Sequence, residues 1–234
     1  MNQSSYIILG AGASGLLLAY RMSLDSYFDD KSILIIDQVK DKGNDKTWCY
    51  WEEGEGEWDE LLTKKWPKVF FGSKDFTETL NISPYSYKMI RSEKFYHKLW
   101  RSIELKSNIT FVEDSVKTYT EIDNRVKVVT NKSTYFGLKL LNSILDKTVY
   151  ETQQKYPVLQ QHFVGWFVKT KTDCFDDSIA TFMDFNIPQN GNTRFMYVLP
   201  IDKNIALFEY TLFSKDLLEH SEYEEAIKDY LKEK

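Results

Sequence analysis

Side chains that cross-link or bind metal are scarce in this sequence. It has 2 cysteines, Cys49 and Cys174, and 3 histidines, His97, His162 and His220, among 234 residues. Two cysteines form no disulfide framework or zinc-ligand spacing, and free thiols are normal in a reducing compartment. The histidines lack metal-binding spacing, so no metal is expected. A basic surface is missing too: net charge is −5 and no Lys/Arg cluster interleaves with aromatics, which argues against a nucleic-acid partner. No run approaches the ~20 apolar residues of a membrane-spanning helix. Residues 6–20, YIILGAGASGLLLAY, are apolar, but the preceding MNQSS carries none of the basic residues of a signal peptide. The expectation is a cytoplasmic protein whose membrane contact, if it has one, is transient and peripheral, at the inner face.

Aromatic side chains are plentiful, at 15% of residues. They suit either ordinary core packing or a pocket for an extended, conjugated ligand.

The chain opens with a strand-like run, Tyr6 to Leu9. A glycine-rich turn, a helix through Met22 and a second buried strand, Ser32 to Asp37, follow. This is the start of a doubly wound βαβ unit. The turn carries Gly10, Gly12 and Gly15 in GxGxxG spacing, with Ala11 and Ser14 between them. Asp37 closes the next strand. In that context Gly10 permits the tight turn, Gly12 lets a pyrophosphate approach the backbone, Gly15 lets helix and strand pack, and Asp37 is placed to accept from ribose hydroxyls. The fingerprint itself does not separate FAD from NAD, but its place at the start of the sequence, with a long loop after the second strand, leans toward flavoproteins.

Residues 38–60 are charged and read as a long functional loop holding an aromatic knot, TWCYW. Strands are expected at 68–71, 85–90, 108–113, 125–130 and 138–145, with a helix capped by Ser92 and running to about residue 103. From His162 onward come four strand candidates, HFVGWFV, IATFMDF, RFMYVLP and IALFEYTLF, without intervening helices. Such a run predicts an antiparallel sheet. A final helix is expected from a capping box at Ser221–Glu224, running to Lys234 without a stop signal. The expected fold class is α/β: a Rossmann-like FAD-binding domain over 1–150 and an antiparallel β-sheet substrate domain over 151–234, the latter incomplete at its C-terminus.

Within IALFEYTLF, strand alternation puts Glu209 in a row with Leu207, Thr211 and Phe213. A carboxyl between apolar neighbours loses solvation, which raises its pKa.

Five segments, ILGAGASGLLLAYRM, DKTWCYW, MIRSEKFY, QHFVGW and ALFEYTLFS, together resemble the FAD-containing lycopene cyclases of carotenoid biosynthesis. The resemblance implies a flavoprotein that converts linear end groups of lycopene or a related carotenoid into rings, with FAD kept reduced by NAD(P)H and no net redox change. It implies that Glu209, on the first acid of the family's Phe-Leu-Glu-Glu-Thr motif, is the catalytic acid. It also implies that Arg91 lies near the flavin and that Trp48, Trp51, His162 and Trp166 lie near the substrate. The chain departs from the family at Phe167 and Tyr210, where acids are common. It is also shorter than family members, which carry a further Gly-rich segment around the flavin. Flavoproteins of the same fold with hydride chemistry, namely hydroxylases or prenyl-chain reductases, and a truncated, non-catalytic carotenoid or flavin binder are the rival expectations.

Overall fold

The computed structural model describes residues 3–146, 148, 152, 154–156 and 158–233. By contacts the chain divides into two compact units. The first comprises Met1–Thr47 and Arg91–Lys147, the second Trp48–Ile90 and Thr148–Lys234. Sequence order therefore crosses between units three times, whereas a single boundary at residue 150 was expected.

The first unit is built on β1 (Gln3–Leu9), α1 (Ala13–Leu24) and β2 (Ile33–Asp37), followed later in the chain by α2 (Ser92–Ile103), β8 (Ile109–Glu113), β9 (Val116–Ile122), β10 (Arg125–Thr130) and β11 (Thr134–Asn142). Its six-stranded sheet has the order β8-β2-β1-β11-β10-β9. β8, β2, β1 and β11 are parallel, and β9 and β10 add an antiparallel flank. Ile7, Ile8, Leu9 and Ile33 to Ile36 are buried without alternation, as a central parallel sheet covered on both faces requires. Helix α2 buries Ser92, Phe95, Tyr96, Leu99, Trp100 and Ile103, a single stripe at helical spacing.

The second unit holds β3 (Thr47–Glu53), β4 (Leu62–Trp66), β5 (Lys68–Ser73), β6 (Phe76–Asn81), β7 (Tyr85–Arg91), β12 (Gln160–Lys169), β13 (Ile179–Asp184), β14 (Thr193–Asp202), β15 (Ile205–Ser214) and α3 (His220–Glu233). Its larger sheet has the order β12-β15-β14-β13-β5-β6, antiparallel except where β13 meets β5, and β3, β7 and β4 form a small second sheet. One face of the large sheet, with Met196, Phe208, Tyr210 and Leu212, packs with Tyr223, Ile227 and Tyr230 of α3. The other, with Ala180, Leu199 and Leu207, packs with Trp66, Tyr87 and Met89 of the small sheet.

Three local expectations change. The segment read as a loop over 38–60 contains β3, because TWCYW alternates its side chains within a sheet. Ser92 is the first residue of α2 and not its cap. Its hydroxyl instead bonds the Lys46 N–H at 3.0 Å and so holds the 43–46 turn. The box before α3 is shifted: Glu219 N–H donates to Glu222 Oε2 at 3.1 Å. Lys234 lies outside the described residues.

Candidate active site

In the first unit the glycine turn leaves β1 with Gly10 at φ +91°, a conformation that favours glycine. A Cβ on Gly15 would overlap the Gly10 carbonyl oxygen, so helix and turn touch through bare backbone. Gly12 is the N-cap of α1 and has no side-chain cap. A Cβ there would meet nothing within 4 Å, so the helix N-terminus opens onto free space. Ser14 is exposed in the first turn of α1.

Asp37 is tied into the same turn. Its Oδ2 accepts from Ala11 N–H at 2.5 Å, and its Oδ1 accepts from Val39 N–H at 3.1 Å and from Lys42 Nζ at 2.9 Å. Burial pushes the Asp37 carboxyl up, but these donors outweigh it and hold the group below the usual carboxylate range. Ser143, which the sequence did not single out, donates to Leu9 O at 2.8 Å and Gly10 O at 3.1 Å and clasps the turn from β11. Its signal was the polar pair Asn142-Ser143 ending an apolar strand. Arg91 is half-buried, ends β7 and serves as N-cap of α2.

In the second unit, Glu209 is half-buried on β15, paired with Tyr197 on β14 and with Gly165 on β12. Burial raises its pKa, and no hydrogen bond or cation among the described residues draws it back. Its ionisable neighbours are neutral hydroxyl and thiol groups. Burial and the Glu209 carboxylate push Tyr197 to about 12, and burial pushes the Cys49 thiol to about 12. The Tyr87 hydroxyl donates to the Cys49 sulfur and is raised too, first by burial. Rings continue from there: Trp51 to Tyr87 at 4.8 Å, Trp51 to Phe182 at 5.2 Å, Phe182 to Tyr197 at 5.9 Å and Tyr197 to Phe195 at 5.1 Å. Trp51 thus belongs to the aromatic wall on the Glu209 side. Trp48 alternates with Cys49 and Trp51 and points to the other face of β3.

His162 and Trp166 need correction as residues of the Glu209 pocket. They pair with Leu212 and Phe208 and share the α3 face of the sheet, because both differ from Gly165 by an odd number of positions. Trp166 packs against the α3 core, with Lys228 Nζ 5.5 Å from its ring centroid. His162 Nε2 meets Ser214 Oγ at 2.8 Å and Nδ1 meets the Tyr223 hydroxyl at 2.6 Å. Ser214 Oγ donates to Asp216 O at 2.5 Å and Tyr223 accepts from Leu218 N–H at 3.2 Å, which assigns a neutral His162 with its proton on Nε2. Phe163 and Phe167 take the place beside Glu209. They lie on either side of Gly165 and are 57% and 47% exposed.

Another buried charge sits nearby in the chain. Lys88 is fully buried on β7 and bonds Glu52 Oε2 at 2.9 Å, Asp59 Oδ1 at 2.5 Å and Gly54 O at 3.0 Å. It fastens the acidic 52–59 segment to the sheet that carries Cys49 and Tyr87. No helix among the described residues is long and apolar enough to cross a membrane.

The profile of the family described as lycopene cyclase protein matches residues 6–234. The chain belongs to the lycopene cyclase family. No curated protein matches this cyclase-family chain in a direct sequence search. Among solved structures it is similar to a geranylgeranyl bacteriochlorophyll reductase-like protein from Thermoplasma acidophilum, at 10% identity and TM-score 0.69 over 100% of this chain and 62% of that one. It is similar to the flavin-dependent brominase Bmp2 at 14% identity and TM-score 0.63, over 97% of this chain and 60% of that one. A third likeness is to pqsL, a probable FAD-dependent monooxygenase from Pseudomonas aeruginosa, at 8% identity and TM-score 0.58, over 91% and 61%. The fold of this lycopene cyclase family member is therefore the α/β fold of those structures. The chain spans about three-fifths of the length of these structures.

Proposed function

We propose that this chain is the part of a flavoprotein that cyclises the linear end groups of lycopene or a related carotenoid, with Glu209 as the acid. The observation that carries the reading is a half-buried carboxyl, raised by burial and unopposed by any cation among the described residues, in an aromatic surround within a lycopene cyclase family chain. Protonating a hydrocarbon needs an acid that still holds its proton near neutral pH, and burial supplies that.

Glu209 transfers its proton to the terminal double bond. A neighbouring double bond attacks the resulting cation and closes the ring, and loss of a proton from an adjacent carbon restores neutrality without net oxidation. The rings of Trp51, Tyr87, Phe182 and Tyr197 give this face polarisable surface that favours positive charge.

The glycine turn fits an FAD pyrophosphate, since Gly12 leaves backbone N–H groups of an uncapped helix end in open space. Gly12 and Ser14 would hold the phosphates, while Gly10 and Gly15 let the turn and the helix close up behind them. Asp37 and Ala11 shape the turn, and Asp37 would face the ribose. We assign Arg91 to the flavin by family resemblance. When bound, reduced FAD, regenerated by NAD(P)H, supplies an electron-rich ring system that stabilises positive charge. A carotenoid is dissolved in lipid, so the enzyme would meet the inner membrane face transiently.

The test is Glu209→Gln in the native-length protein, in cells that accumulate the linear carotenoid. Ring formation is expected to fall by ~10²-fold, as for loss of a general acid, with flavin binding retained. Cyclised product from that variant at the native level would sink the reading. NAD(P)H consumed one to one with product would instead favour hydride chemistry.

A further inference from the structure

Gly165 lies in the middle of β12, directly opposite Glu209. Glycine weakens a strand interior, and its presence there often marks a place where another group approaches closely. Its backbone gives no other reason for glycine, because Gly165 is not among the residues with positive φ. A Cβ at this position would meet Glu209 Cγ at 3.0 Å, Glu209 Oε1 at 3.3 Å and Leu207 Cδ1 at 3.3 Å. The space a side chain would fill is therefore occupied by the acid itself. Glu209 leans across its neighbouring strand instead of standing upright on its own, toward the exposed row Phe163, Gly165, Phe167.

We propose that Gly165 is a positioning residue: its missing side chain lets Glu209 lie over β12 and present its carboxyl between the rings of Phe163 and Phe167, where the end of the polyene meets the proton. This rests on Glu209 being the acid. The same two rings confine the approach to the carboxyl along the strand and leave it open above the bare backbone of Gly165.

The deciding experiment uses the native-length protein with FAD and a linear carotenoid in vesicles, and compares native, Gly165→Ala, Glu209→Ala and the double variant. In Gly165→Ala the added methyl displaces the carboxyl by a few tenths of an ångström. We expect kcat to fall at least about tenfold at unchanged KM and flavin binding, as small misplacements of reacting groups do. The alkaline limb of the pH profile, which reports the acid's pKa, is expected to move. The melting temperature is expected to hold or rise, since alanine suits a strand better than glycine.

Alanine at 209 removes both the Cγ and the carboxyl that the methyl would meet, so Gly165→Ala should raise the melting temperature more in that background than in the native one. Native kcat with an unmoved pH limb in Gly165→Ala, or equal shifts of melting temperature in both backgrounds, would overturn the proposal. If Gly165→Ala fails to accumulate, accumulation of the double variant supports a clash at Glu209. Loss of both variants would place the need for glycine in the sheet and overturn it. Full activity of Glu209→Gln is a different outcome, because it removes the underlying reading of the acid.

Discussion

The main-chain N–H of Ala11 donates to Oδ2 of Asp37 at 2.5 Å, so the acid that ends β2 also holds the glycine turn that follows β1. Asp37→Ala removes this bond together with those from Val39 N–H and Lys42 Nζ and leaves the Ala11 donor unsatisfied. A stability loss of about 1–3 kcal/mol is expected in urea denaturation, with weaker flavin binding by titration. The folded carboxyl has a lowered pKa, so its contribution is present above the ordinary carboxylate range and lost as pH falls through the folded value. The variant should lack that acid-side slope.

Gly12 and Gly15 should separate binding from folding. A side chain at Gly12 meets only open space, whereas one at Gly15 meets the Gly10 carbonyl and Ser143 Oγ. Gly12→Val is expected to melt as the native protein does and to bind no flavin. Gly15→Val should lower the melting temperature by itself. Flavin absorbance retained by folded Gly12→Val would remove the turn from the cofactor site.

Lys88 is fully buried with two carboxylates, so Lys88→Met leaves Glu52 and Asp59 without their cation. These two side chains are 30% and 27% exposed and keep part of their hydration, so a fall of about 1–3 kcal/mol, the cost of hydrogen bonds left unmade, is expected in chemical denaturation. Burial lowers the Lys88 pKa, but Asp59 and Glu52 outweigh it and the net shift is upward. Its contribution is thus full below the ordinary lysine pKa and lost only as pH rises through the folded value. A melting temperature that is flat from pH 6 to 9 is the expected signature.

His162 should act in the opposite range. Burial holds its pKa low, with the charge of Arg194 acting the same way and a hydrogen bond at the Asp216 backbone opposing. A second proton would fall on Nδ1, which accepts from Tyr223. The neutral form stabilises the fold above the ordinary histidine pKa, and that stability is lost as pH falls through the depressed value. His162→Gln can still donate to Ser214, so a smaller acid-side drop in melting temperature is expected for it than for the native protein.

The sequence made Gly10, Gly12, Gly15 and Asp37 legible because their spacing is local and each step has a steric cause. The assignment of Glu209 as the acid came from the family resemblance, whereas its apolar setting was legible through strand alternation. Partners across the sheet were not: Tyr197 and Gly165 are set by register. The β14–β15 register follows from a tight turn at Lys203-Asn204, and that of β12 from a long-range pairing no local pattern encodes. His162 and Trp166 were drawn to the site by the family resemblance of QHFVGW, yet a strand sends odd and even neighbours to opposite faces. β3 was hidden because its last residues, Glu52-Glu53, run into Gly54-Glu55 and together look like a solvated loop. β6 and β9 were hidden because they lie at sheet edges with mostly exposed residues.

The parallel pairing of β1 with β11 also constrains how the protein is made. Once synthesised, β1 waits for a partner about 130 residues downstream, while all of Trp48–Ile90 is made in between. Until β11 emerges, Ile7 and Leu9, which are fully buried in the folded protein, have an unfilled sheet edge on that side. Slowing translation before residue 134 should therefore prolong the period in which this chain depends on chaperones.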